Sequence, residues 1–318
     1  MKSKNIQNQL VYYSDELFGY NDLFIKFKNL YNNNKLPKNI LLSGEKGIGK
    51  FTFIFHLINS IFSKNTQIKY DNLNFKINKD SDVYKKILFN VDENFNYLSC
   101  ESSNIVSIDD IRNLKTKLSK KPLNNTKRFT IIDDIELINL NCSNALLKLV
   151  EEPSNYDFFI FINNKKKKVI ETLNSRSIEF KIFLTYEQKT NMFDNIKKKS
   201  NLKDNFLDNY IKYSTPGNLI KFNEILEKNE IYSLDNFEEN IYKLLTIFKK
   251  NKNLIYIDLI FLFLDIKFME LQHTNSENFL RSLELKNKII NLFNDHYKFN
   301  LSISNVFDQF KNYINHAR

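Results

Sequence analysis

At 318 residues, 42% of them apolar and 26% charged, the chain is long for one core, and two or three domains are expected. The net charge of +10, with a pI near 9.2, favours polyanionic partners such as nucleic acid. A second source of lysine is AT-rich coding, since Asn, Lys, Ile and Phe dominate throughout.

Two cysteines, Cys100 and Cys142, lie far apart in the chain and form no CxxC pair. The four histidines, His56, His273, His296 and His316, show no ligand spacing. Neither zinc, another metal centre nor a disulfide framework is expected. The opening stretch MKSKNIQNQL has no apolar signal core. The apolar run LIYIDLIFLFLDIKF, 254–268, is too short and, with Asp258 and Asp265, too charged to span a bilayer, so it reads as a buried helix. A cytoplasmic protein without a membrane partner is expected.

Along residues 1–185, strand-like and helix-like patterns alternate, which predicts an α/β domain with a largely parallel sheet. NILLS (39–43), NYLSC (96–100), RFTIID (128–133), FFIFI (158–162) and SIEFKIF (177–183) are short and mostly apolar, as strands covered on both faces should be. SIDDIRNLKTKLSK and CSNALLKLVEE are helical patterns between them. At Thr185 the texture changes: Thr185 and Gln188 have capping-box spacing, and no convincing strand follows. Thr215 and Pro216 read as the N-cap and first residue of another helix. Residues 186–230 are read as a small helical domain. Residues 231–318 are read as three or four longer amphipathic helices. The fold class is thus α/β plus all-α. The KKKK run at 165–168 reads as a solvated loop.

Three of the five glycines fall in LLSGEKGIGKFTFIF, 41–55. Gly44, Gly49 and Lys50 have the G-x-x-x-x-G-K spacing of a phosphate loop between a strand and a helix, with Gly47 inside it. Such a loop turns backbone N–H groups onto phosphate oxygens, and the helix N-terminus and lysine add positive charge. A working loop places Ser or Thr directly after the lysine to hold Mg²⁺; here that residue is Phe51. The hydroxyl comes at Thr52, about 100° further round the helix and aimed away from a metal. ATP binding at this loop is allowed by the residues but not required by them. The apolar strand FTIID ends in Asp133, fit for a metal-facing carboxylate, and Asp134 stands where a longer Glu would act as base. SNALLKLVEEP supplies an apolar helical face and then puts Glu151 and Glu152 at the helix C-terminus, against the dipole, before Pro153. A local rule broken without compensation marks a candidate functional position.

FGYNDLFIKFKNLYNNNKLPKNILLSGEKGIGK, RFTIIDDIELINLNCSNALLKLVEEPS and FFIFINNKKKKVIETLNSRSIEF follow one another in the order and spacing of bacterial clamp-loader subunits. Over about residues 17–220 the chain resembles the delta-prime kind of subunit of the DNA polymerase III clamp loader, an AAA+ family. The resemblance implies a P-loop AAA+ domain (1–185), a helical lid (186–230) and a C-terminal collar domain (231–318) joining a hetero-pentamer. Such pentamers use ATP to place a ring-shaped sliding clamp on primer-template DNA. The implied partners are gamma/tau-type and delta-type subunits, with clamp and DNA reached through the complex. The S-R-C arginine of the family acts in trans on the neighbour's ATP, and Arg176 in SRS holds that place. Asn163 or Asn164 matches the sensor-1 region, and Asn218 stands where a lid arginine is usual. Phe51, Asp134 and Asn218 each touch hydrolysis, which implies a largely non-hydrolysing jaw. An active gamma-type ATPase is the alternative, disfavoured by these residues and by the lack of a long C-terminal extension. A P-loop small-molecule kinase is the distant one, and it leaves the N-A-L-L-K block unexplained.

Overall fold

Buried apolar runs at Asn39–Ser43 (β1), Arg128–Asp133 (β3) and Asp157–Asn163 (β4) frame the first part of the chain. With Phe95–Ser99 (β2) and Ile178–Lys181 (β5) they form a five-stranded sheet in the order β2-β3-β4-β1-β5, every pairing parallel. The computed structural model describes residues 14–89, 91–100, 106–122, 125–274 and 279–317. Its contacts divide it into two units, Met1–Asn201 with Thr215–Gly217, and Leu202–Ser214 with Asn218–Arg318.

In the first unit the period-two alternation of the strands fills two cores. Ile40, Leu42, Phe129, Ile131, Phe158, Ile160 and Ile162 face one side, with α1 (Asn21–Asn32), α2 (Lys50–Phe62) and α3 (Asp82–Leu88) packed there. Leu41, Ile132, Phe159 and Phe161 face the other, against α4 (Ile108–Ser119), α5 (Leu140–Glu151) and the single turn α6 (Glu171–Asn174). The result is the three-layer arrangement that a parallel sheet requires. Cys100 and Cys142, distant in sequence, both lie in the second core with free thiols. Helix α7 (Tyr186–Ser200) opens on the expected capping box, Thr185 with Gln188, and packs Met192 on the first core.

The sheet's N-terminal edge is stapled by a buried ion pair. Arg128 Nε and Nη2 donate to the two carboxylate oxygens of Asp157 at 2.6 and 3.0 Å, and its other N–H groups donate to the carbonyls of Lys117, Leu118 and Lys120. Such a fork leaves few donors unused, which is what makes a buried charge tolerable. The opposite edge stays open. There the register sets Ser43 beside Asn163 and Ser99 beside Asp133, and strand ends of this kind are where α/β sheets place ligands.

The second unit is helical: a 3₁₀ stretch (Phe206–Tyr213), the body of α8 (Pro216–Lys228), α9 (Phe237–Asn251), α10 (Ile255–Thr274), α11 (Phe279–Phe299) and α12 (Ile303–Ala317). The stretch read as a buried helix is α10; Leu259, Ile260, Phe263, Leu264 and Ile266 are all fully covered. Its two carboxylates are not in that interior: Asp258 is exposed, and Asp265 is half-buried and paired with Lys286 at 2.7 Å. No described helix is long and apolar enough to cross a membrane. The side chains of His273 and His316 lie outside the described part.

Candidate functional site

β1 ends at Ser43, and Gly44 continues its ladder by donating to Asn163 O at 3.1 Å. A Cβ at Gly44 would stand 2.4 Å from Ile182 O, so the loop can leave the sheet here only as glycine. Gly47 and Gly49 both have positive φ, 84° and 92°, and Gly49 is the N-cap of α2. Lys50, only 3% exposed, turns its ammonium back onto Gly44 O (2.8 Å) and Glu45 O (2.6 Å). Burial holds this ammonium down to about 8, against the pull of Asp133, Glu136 and Asp134. Thr52 is half-buried in the first turn of α2.

Three groups distant in sequence complete the loop. Tyr20 donates its hydroxyl to Ile48 O at 2.5 Å, Thr215 donates its hydroxyl to Lys46 O at 2.7 Å, and Gly217 N donates to Gly47 O at 2.9 Å. Lys189 of α7 pairs with Glu45 at 3.1 Å. Sequence reading missed Tyr20 altogether. It found Thr215 only as a helix cap, because nothing local says which carbonyl a hydroxyl 169 residues away will meet.

Phe51 occupies the place of the metal-binding hydroxyl. Its ring stands edge-on to Tyr97 (centroids 5.2 Å) and nearly parallel to Phe55 (5.9 Å). Tyr97 then donates its hydroxyl to Asp133 Oδ2 at 3.3 Å. Asp133 Oδ1 accepts from Asp134 N (2.8 Å) and Asn164 Nδ2 (3.2 Å). Burial, with Asp134 beside it, pushes the Asp133 carboxyl up to about 6. Asp134 is buried in the left-handed region, φ 53°, and its Oδ1 accepts from Asn164 (3.1 Å) and pairs with Lys166 (3.4 Å). Glu136, not singled out from the sequence, accepts from the backbone N–H groups of Asn164 and Lys166. Of the two adjacent asparagines, Asn164 reaches the carboxylates. Asn163 cross-links the strands by donating to Ser43 Oγ at 3.1 Å and caps the next turn by accepting from Lys165 N. The lysine run is mostly solvated, as expected, with Lys166 as its inward exception.

The residues present therefore do not fit a magnesium ion: the hydroxyl ligand is an aromatic ring, and Asp133 is held on both oxygens by protein donors.

Arg176 lies on the turn between α6 and β5, with a side chain 37% exposed. Nε and Nη2 both reach Glu151 Oε1, at 3.0 and 2.7 Å, and Nη1 donates to Thr172 O at 3.0 Å. Asn39 donates to Val150 O (2.8 Å) and to Arg176 O (3.0 Å), tying the end of α5 to the arginine's own backbone. The unfavourable placement of Glu151 at a helix C-terminus thus has a partner. Ser177, where the family motif has Cys, donates to Leu173 O at 2.8 Å. Asn218 begins the part of α8 that belongs to the second unit.

A family model described as DNA polymerase III, delta subunit, matches residues 19–184, just over half of the chain. The chain belongs to this DNA polymerase III delta-subunit family. A delta' subunit of DNA polymerase III from Buchnera aphidicola subsp. Schizaphis graminum is 26% identical over 234 residues, covering 73% of this chain and 67% of the relative. A DNA polymerase III gamma/tau subunit from Mycoplasma genitalium is 29% identical over 152 residues, 48% of this chain and 24% of its own length. Among solved structures, a gamma subunit-related protein of Thermotoga maritima is 14% identical, with a TM-score of 0.47 over 93% of this chain and 98% of that one. The family match spans the phosphate loop, the acidic strand end and Arg176.

Proposed function

We propose that this chain is the delta-prime-like jaw of a DNA polymerase III clamp loader. In this reading it hydrolyses little or no ATP itself and presents Arg176 to the ATP of a neighbouring subunit. The observation that carries the reading is the Arg176–Glu151 pair. A guanidinium half in solvent, fixed on three nitrogens, is an arginine oriented at a surface rather than spent inside the protein. The aromatic closure at Phe51 and the committed oxygens of Asp133 support the non-hydrolysing half.

Residues 1–185 act as the AAA+ domain, 186–230 as the lid and 231–318 as the collar of a hetero-pentamer in the cytoplasm. The partners are gamma/tau-type and delta-type subunits, and the sliding clamp and primer-template DNA are engaged through the complex.

Co-assembly tests this. Mixed with gamma-type and delta-type subunits of the same source, the chain should enter one complex on a sizing column. Alone, with or without DNA, it should show no steady-state ATP turnover. Turnover at the rate of a gamma-type subunit, or failure to co-assemble, would refute the reading.

A further inference from the structure

β5 is the last strand in the order β2-β3-β4-β1-β5, so it has a sheet neighbour, β1, on one side only. The register sets Ile178, Glu179, Phe180 and Lys181 against Ile40, Leu41, Leu42 and Ser43, and just past the strand Ile182 N donates to Ser43 O at 2.7 Å. In a ladder the main-chain groups of alternate residues point to opposite sides. Those of Ile182, and with it Phe180 and Ile178, turn towards β1. Those of Glu179 and Lys181 turn outward, and none of them meets a partner there among the described residues. Such an edge is a template for another strand.

The side chains say which strand fits. Glu179 and Lys181 are exposed and lie on one face of the sheet, the face of Leu41. Neither has an ion-pair partner among the described residues. On the opposite face Phe180 is half-buried against Phe27 (ring centroids 4.7 Å), and Ile178 is 54% exposed. Phe183, beyond the strand, is 79% exposed.

A carboxylate and an ammonium two residues apart on one face are complementary to their own reversed copy. A two-fold pairing of identical edges is antiparallel, and only Glu179 and Lys181 of the strand offer outward N–H and C=O groups. One register therefore sets each Glu179 opposite Lys181 of the second copy, both as hydrogen-bonded pairs, with Phe180 on the axis. In that register Ile178 faces Ile182, and Phe183 lies over Ser177, of the second copy. A slip of two residues in either direction puts Lys181 on Lys181 or Glu179 on Glu179, and like charges directly opposite are destabilising.

We propose that β5 is a self-association edge: two copies of this chain join their sheets through antiparallel β5 strands, in the register that pairs Glu179 with Lys181. The strand is short and the contact small, so the dimer is weak and reversible. This inference does not depend on the role proposed for Arg176 or on assembly with other subunits.

The test is sedimentation of the full-length chain over a concentration series reaching about 300 µM. The expected result is a monomer–dimer equilibrium with a Kd on the order of 10–100 µM, in the range of small, transient interfaces. Glu179→Lys alone and Lys181→Glu alone should each weaken it at least about fivefold, because both cross-strand pairs become repulsive. A one-to-one mixture of the two variants should regain the wild-type affinity, since lysines then face glutamates again; the net charge of both variants stays positive, so a general attraction between them does not explain a recovery. A wild-type chain that remains monomeric at the highest concentration overturns the proposal. So does a dimer as strong in each variant alone as in wild type, which would belong to another face, and a mixture that associates no better than its components overturns the register. Both substitutions fall on exposed side chains, and the wild-type series stands even if a variant fails to fold.

Discussion

Glu151 sits in the last turn of α5, where a carboxylate opposes the helix dipole at a cost of about 0.3–1 kcal/mol. Its two bonds from Arg176 offset that cost without adding much stability, since the pair is 37% and 46% exposed. The account therefore separates two effects of Glu151→Gln. Thermal stability should change by less than about 1 kcal/mol. ATP hydrolysis at the neighbouring site of the assembled complex should fall to a value between wild type and Arg176→Ala, because the guanidinium loses its orienting charge. A wild-type rate would show that Glu151 does not position the arginine. A second residue-scale expectation concerns His56, fully buried with Nδ1 against Tyr70 Oη and Nε2 against Ser14 O, both at 2.9 Å. Burial lowers it from the ordinary 6.5 to about 4. The unfolded chain then takes up the proton first, so the neutral histidine's contribution is whole above about pH 6.5 and drains away as pH falls towards 4. At about 1.4 kcal/mol per pH unit the loss approaches 3 kcal/mol. Denaturant unfolding from pH 7.5 down to 4.5 should show this decline, and His56→Gln should flatten it. An unchanged pH profile in the variant would remove His56 as its source. The sequence showed Lys50, Phe51, Asp133 and Asp134 plainly, because a motif fixes their spacing. It could not separate Asn163 from Asn164, since on a strand end one residue of difference exchanges the two faces. Tyr20 and Tyr97 were out of reach for another reason: their hydroxyls meet backbone or carboxylate groups 28 and 36 residues away.

At the scale of elements, the strands that could be read best are those covered on both faces. β1 and β3 lie where their apolar runs place them, and β4 extends the run by one residue at each end. β5 is shorter than its apolar stretch 177–183 suggested. It is the sheet's edge, and Ile178 and Phe183 stay 54% and 79% exposed, so hydrophobicity there does not report pairing. The capping box at Thr185 and the buried α10 were legible from spacing and from an unbroken apolar stretch. The docking of Thr215–Gly217 on the phosphate loop was not, although it makes a sharp prediction. A Cβ on Gly217 would lie 2.7 Å from Gly47 O and 3.2 Å from Gly47 Cα, backbone that cannot swing aside. Gly217→Ala should cost about 1–3 kcal/mol in urea unfolding and should raise amide exchange at 215–217. Full stability with unchanged exchange would mean that this contact is not maintained in solution.

For the molecule as a whole, an α/β part followed by a helical part was readable because the hydrophobic period changes from two to near 3.6 along the chain. Where the three proposed domains divide was less so, because the contacts of α7 lie with the sheet unit and α8 is shared between units. Part of the positive charge has local partners beside the phosphate loop, where Lys50 meets two carbonyls and Lys166 pairs with Asp134. The proposed role of the whole chain lies elsewhere on its surface, in an arginine that serves another subunit's nucleotide. The direct measurement is single-turnover ATP hydrolysis by the reconstituted complex carrying wild-type or Arg176→Ala chains, after a sizing column has shown that both assemble. The account predicts that the variant complex forms normally and loses hydrolysis at the neighbouring site by about 10³-fold or more, the usual worth of an arginine finger. An intact complex hydrolysing ATP at the wild-type rate would contradict it.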